Sequence, residues 1–173
     1  MRRIVMTMMG VVLGLAACQS APVPRTVEQV DLQRYAGTWY EMARLPVWFE
    51  EDCVGVTAQY TPRPDGKITV VNASWLGKLD GQPKTIKGTA RVINAPVNSK
   101  LKVMFFWPFE GDYWIFQLDA DYQWAAVGSP DRETCWVLSR TPHMDDKLYQ
   151  QILERLKGDG FAVEKLERTL QPK

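Results

Sequence analysis

Val54-Gly55-Val56-Thr57-Ala58-Gln59-Tyr60, followed at once by Thr61-Pro62-Arg63-Pro64-Asp65-Gly66, alternates side chains along one stretch and then breaks on two prolines and an Asp-Gly pair. Successive side chains of an extended strand point to opposite faces, so Val54, Val56, Ala58 and Tyr60 share one apolar face. The proline-glycine cluster then predicts a tight turn. The same period recurs downstream, where Leu101, Val103, Phe105 and Trp107 alternate with Lys100 and Lys102.

Working outward from that strand, segments rich in Val, Ile, Thr and aromatic residues recur between turn signals. They predict strands over Thr38 to Leu45, Val54 to Tyr60, Lys67 to Gly77, Thr85 to Ile93, Lys100 to Trp107, Tyr113 to Leu118, Trp124 to Gly128 and Thr134 to Arg140. Asp80-Gly81, Asn94-Ala95-Pro96, Glu110-Gly111-Asp112 and Ser129-Pro130-Asp131 supply further turns. Connections this short join antiparallel neighbours. The predicted fold is therefore all-β, an eight-stranded antiparallel up-and-down β-barrel, which removes its own edges and encloses room for side chains or one small ligand. After Pro142 the period changes. Leu148, Ile152, Leu153 and Leu156 recur at helical spacing between Asp145 and Gly158 or Gly160, predicting one C-terminal α-helix packed outside the barrel. Phe161, Val163 and Leu166 suggest a short strand after it.

The N-terminus differs in character. Arg2 and Arg3 precede an uncharged, mostly apolar run from Ile4 to Ala17, too short to span a bilayer, which reads as a signal peptide over residues 1–17. Leu15-Ala16-Ala17-Cys18 resembles a bacterial lipobox, implying lipidation of Cys18 and a membrane anchor. Residues 18–30, with Pro22 and Pro24, read as a lipidated tether, and residues 31–173 as the folded domain. Gln19 after the cysteine, by resemblance to enterobacterial lipoproteins, implies the outer membrane, with the domain facing the periplasm.

Charge excludes one class of partner. Lys and Arg total 21 against 20 Asp and Glu, and loss of Arg2 and Arg3 leaves 19 basic groups, so nothing draws the chain to nucleic acid. Of the three cysteines, Cys18 is assigned to lipid, leaving Cys53 and Cys135 as a pair. A bridge between them would close a loop of about 80 residues and add roughly 4 kcal/mol. Two buried reduced thiols are the alternative.

Gly37-Thr38-Trp39-Tyr40-Glu41 opening the first strand, Asp121-Tyr122 before the seventh, and Trp136-Val137-Leu138-Ser139-Arg140-Thr141-Pro142 at the end of the eighth together resemble the signature of the lipocalin family. With the lipobox, the chain resembles the bacterial outer-membrane lipocalins and, more distantly, the apolipoprotein D group. The resemblance implies that Gly37, Trp39, Asp121, Tyr122 and Arg140 are structural, Trp39 plugging the closed end and Arg140 lying across it. It also implies that Tyr60, Asn72 and Trp136 line a ligand cavity. Strand alternation adds Trp75, Phe105 and Tyr113 to that lining.

Catalysis has little to build on. His143 is the only histidine and sits in a loop before the helix, so no metal set or catalytic dyad is predicted, and no phosphate-binding glycine loop or cofactor motif is present. The expectation is a non-enzymatic carrier without cofactor, binding a fatty acid, lysophospholipid or similar apolar ligand. Two alternatives stay open: a lipocalin-type enzyme using Cys53 or Cys135 as nucleophile, and an interaction protein whose barrel is filled by its own side chains. A homodimer is also left open. Val47-Trp48-Phe49 in the first interstrand loop reads as a lid or a membrane contact.

Overall fold

The computed structural model describes residues 22–173, so the signal peptide and Cys18 lie outside the described residues. A short helix, α1 (Leu32–Tyr35), leads into eight antiparallel strands: β1 (Gly37–Arg44), β2 (Cys53–Pro62), β3 (Ile68–Leu76), β4 (Gln82–Val92), β5 (Lys100–Phe106), β6 (Phe109–Leu118), β7 (Trp124–Gly128) and β8 (Cys135–Ser139). Helix α2 (Asp146–Gly158) and a two-residue strand, β9 (Glu167–Arg168), follow. Each strand pairs with its neighbour in the chain, and β1 pairs with both β8 and β2, so the sheet closes into a barrel.

The seam is unequal along its length. Gly37 to Tyr40 pair directly with β2, but beyond Tyr40 the two strands part and the C-terminal segment enters between them. Thr169 donates its amide to Met42, Gly55 donates to Leu170, and the Gln171 amide donates to the carbonyls of Glu41 and Val56. Backbone groups that the parted strands would leave unpaired are thereby satisfied.

Two hydrophobic cores share the sheet. The inner one contains Trp39, Tyr60, Ile68, Val70, Ala90, Leu101, Ile115 and Leu138. The outer one packs Tyr149, Ile152, Leu156 and Phe161 against Met42, Phe116, Ala126, Cys135 and Val137. Helix α2 lies on the outside because its stripe is apolar and its remaining faces are charged. Asp145 caps it by accepting from the Leu148 amide at 3.0 Å.

Three differences from the sequence reading have physical causes. Glu110-Gly111-Asp112 lies within β6, and the chain reverses earlier, at Trp107-Pro108, where Phe106 pairs with Phe109. Trp107, expected on the apolar inner face of β5, is consequently carried out to the turn and is exposed. The folded part begins before Asp31: Val30 is fully buried, its amide donates to Val97, and Val27 donates to Ile115, so the latter part of the expected tether is packed against the barrel.

Candidate functional site

The closed end is built around Trp39, which is 0% exposed. Its indole N–H donates to the Tyr35 carbonyl at 2.9 Å, and the Arg140 guanidinium lies over its ring at 3.9 Å. Arg140 also donates to the carbonyls of Thr38, Tyr122 and Arg34, stitching β1, the β6–β7 turn and α1 together. Gly37 has φ +97°, and a Cβ there would meet the guanidinium at 3.3 Å, so both conformation and space call for glycine. Tyr122, also at positive φ, accepts the Asp31 amide on its hydroxyl at 2.8 Å. Asp121 is exposed in the same turn, and the Gln123 side chain donates to its carbonyl.

Above this plug three tyrosines form the floor of the lumen. The hydroxyls of Tyr35 and Tyr113 are 2.7 Å apart, and Tyr60 donates to Tyr113 at 3.0 Å. Burial pushes all three phenols up from their ordinary range, so they stay neutral and act as hydrogen-bonding groups. Tyr60, expected as a ligand contact, contributes its hydroxyl to this floor.

From floor to mouth, the inward positions change in exposure. On β3, Ile68 and Val70 are buried, whereas Asn72 is half-buried. On β5, Leu101 is buried, whereas Val103 and Phe105 are half-buried; on β6 Ile115 gives way to Tyr113, and on β8 Leu138 gives way to Trp136. Ala58, Val103, Phe105, Tyr113 and Trp136 are partly buried and all pack against the inner core, which places them on the inner side of the sheet. The Asn72 Oδ1 is buried with no hydrogen-bond partner.

Three of the expected lining residues, Asn72, Phe105 and Trp136, thus lie on the wall above the floor that Tyr113 and Tyr60 help to close. Trp75 does not. β3 pairs with β4 without a break, so the inward set is Ile68, Val70 and Asn72, and Trp75 faces outward. Its ring covers Gly55, where a Cβ would come within 2.5 Å of it.

The expected Cys53–Cys135 bridge is also absent, both residues being free buried thiols. Cys135 faces the outer core beneath α2, while Cys53 opens β2 on the far side of β1 and of the inserted C-terminal segment, 3.9 Å from the Lys84 ammonium. Burial pushes the Cys135 thiol up to about 12.

Sequence reasoning missed a charged cluster at the β1 side of the mouth. Arg44 donates to Glu41 at 2.9 Å and lies 3.7 Å from Glu50; Glu50 in turn accepts the Trp136 indole N–H at 3.1 Å. Glu41 also accepts from Thr169 at 2.5 Å. Burial, reinforced by the negative charge of Glu50, raises the Glu41 carboxyl to about 7 despite the opposing pull of Thr169 and Arg44. The available signal was Glu41 itself, a charge two residues after Trp39 on a strand. Among the described residues no group of three or more His, Cys, Asp or Glu side chains is arranged to hold a metal ion, and His143 is exposed. Two surface grooves of about 280 and 370 Å³ flank the C-terminal segment, both bordered by Arg168, Thr169 and Leu170.

A plugged, eight-stranded antiparallel barrel with an external C-terminal helix defines the chain as a member of the lipocalin family. The lipocalin-like domain model matches residues 30–171. The chain is 42% identical to the outer membrane lipoprotein Blc of Citrobacter freundii and 40% identical to that of Escherichia coli K12, covering 91% of this chain and 90% of each relative. It is 30% identical to apolipoprotein D of Bos taurus over 87% of this chain and 82% of the relative. Insecticyanin of the tobacco hornworm Manduca sexta shares the fold, with a TM-score of 0.71 and 18% identity, covering 89% of this chain and 87% of that one.

Proposed function

We propose that the chain is a carrier that holds one elongated apolar molecule, such as a fatty acid or lysophospholipid, in the upper half of the barrel. The carrying observation is the gradient along the inner wall, where buried side chains near Trp39 give way to half-buried Val103, Phe105 and Trp136 toward the mouth. Apolar side chains left accessible inside a closed barrel offer a ligand surface at little cost to the fold, and each methylene enclosed there contributes about 0.8 kcal/mol. A dozen such groups, less the cost of ordering the chain, correspond to roughly micromolar affinity or better. Asn72 Oδ1, buried and unpartnered, supplies an acceptor for a hydroxyl or protonated carboxyl on the ligand.

In this reading residues 1–17 are removed on export and acyl chains on Cys18 hold the domain at the outer membrane of a bacterial envelope, facing the periplasm. The similarity to outer membrane lipoproteins supports that location. Catalysis is disfavoured by the thiols: Cys135 is buried against α2 with its ionisation pushed up, on the opposite face of the wall from the lumen.

The test is titration of the purified protein with palmitate and with lysophosphatidylcholine, followed by tryptophan fluorescence. Saturable one-to-one binding that Trp136→Ala weakens at least about tenfold, with the circular dichroism unchanged, supports the reading. Equal affinity in wild type and variant contradicts it.

A further inference from the structure

The largest exposed apolar side chains gather at one end of the barrel. Trp48 is 86% exposed, Phe106 68%, Trp107 84% and Phe109 76%, with Phe49 and Leu76 partly exposed beside them. Trp48 and Phe49 occupy the β1–β2 connection, Leu76 the β3–β4 connection and Phe106 to Phe109 the β5–β6 turn, all at the mouth, opposite Trp39 and Arg140. Water-exposed rings on three adjacent connections are costly unless something covers them.

Two further observations say what covers them. Charges of both signs border the patch: Lys78–Asp80, Arg91–Glu110 and Lys102–Asp112 form pairs, Glu51 and Asp52 stand exposed beside Phe49, and Lys84 donates to the Phe49 carbonyl, so exposed rings set among mixed charges suit a zwitterionic lipid interface rather than a partner of one strong charge. The chain also leaves the domain near the same end. From Val30 at the floor the N-terminal segment runs back along the wall, and the Pro22 carbonyl accepts from the Arg132 guanidinium in the β7–β8 connection, on the mouth side. Cys18 is four residues earlier, a reach of at most about 14 Å.

We infer that the barrel docks mouth-down on a lipid bilayer, inserting the rings of Trp48, Phe106, Trp107 and Phe109 at the headgroup level. Ligand then passes between the membrane and the lumen without crossing water. The inference rests on the proposed anchoring of the chain at a membrane, which the mass of the intact mature protein tests separately by reporting whether Cys18 carries acyl chains.

The experiment reconstitutes the full mature protein into phosphatidylcholine vesicles whose acyl chains carry bromine, a short-range quencher of tryptophan. Docking predicts quenching that is mostly lost in the Trp48→Phe/Trp107→Phe variant and retained in Trp136→Phe. Quenching that follows Trp136 alone places lipid in the lumen and overturns mouth-down docking while leaving the carrier reading intact. Absence of quenching overturns it outright. So does a dimer in sedimentation that dissociates on Phe106→Ser/Phe109→Ser substitution without any quenching of the wild type, since the rim would then be covered by a second copy. Ligand titration of the same variants without vesicles keeps the two readings apart: rim substitutions leave lumen affinity unchanged.

Discussion

The indole of Trp136 and the carboxylate of Glu50 meet at 3.1 Å across 86 residues of sequence, joining the wall of β8 to the short turn after β1. This bond fixes the orientation of the largest ring on the upper wall. Glu50 also repels the negative form of Glu41. Glu50→Ala should therefore act twice: weaker ligand binding, because the indole is freed, and a fall in the Glu41 midpoint from about 7. Carboxyl NMR titration reads the second effect, and an unmoved midpoint would contradict the coupling.

Glu41 makes stability depend on pH. Its carboxyl holds its proton more tightly in the folded state, about 7 against an ordinary 4.5, so the folded chain binds more protons between those values. The stabilisation is complete below about 4.5 and is lost as pH rises through about 7. Urea unfolding across that window should show stability falling with pH, and Glu41→Gln should flatten the fall.

Removing Arg140 takes away the cation over Trp39 and leaves the carbonyls of Thr38, Tyr122 and Arg34 without their donor. Arg140→Ala should cost about 2–4 kcal/mol in chemical unfolding. Ligand affinity, measured well below the unfolding midpoint, should change little because the plug lies beneath the tyrosine floor.

Asn72→Leu separates stability from function. Its Oδ1 is buried without a partner, so the apolar replacement should leave stability equal or raise it by about 1 kcal/mol. Binding of a ligand with a hydroxyl or protonated carboxyl should weaken, while binding of a plain hydrocarbon chain should not. Equal losses for both ligands would show that the amide makes no polar contact.

Strand alternation and turn residues made most of the barrel legible, since Val56 to Tyr60 and Leu101 to Phe105 carry a period that only a sheet with one buried face uses. Val54 leaves that face, because β2 carries an extra residue between Val54 and Thr57 and Val54 pairs with the outward Trp75. The first miss came where a turn residue overrode the pattern: Pro108 reverses the chain and takes Trp107 out of the wall. Trp75 was misassigned because an aromatic in a strand carries no mark of which face it takes; only the register of its neighbours settles that. The disulfide failed on strand direction, Cys135 facing outward and Cys53 lying beyond the inserted C-terminal segment. That insertion and the Glu41–Arg44–Glu50 cluster it meets depend on contacts between residues about 125 positions apart, which local pattern does not encode.

Native mass spectrometry of the full mature protein, purified from its own host and released gently into the gas phase, tests ligand carriage most directly. One apolar small molecule should accompany each wild-type chain and be largely missing from the Trp136→Ala variant. A bare wild-type chain that also takes up neither palmitate nor lysophosphatidylcholine when these are added would contradict the account.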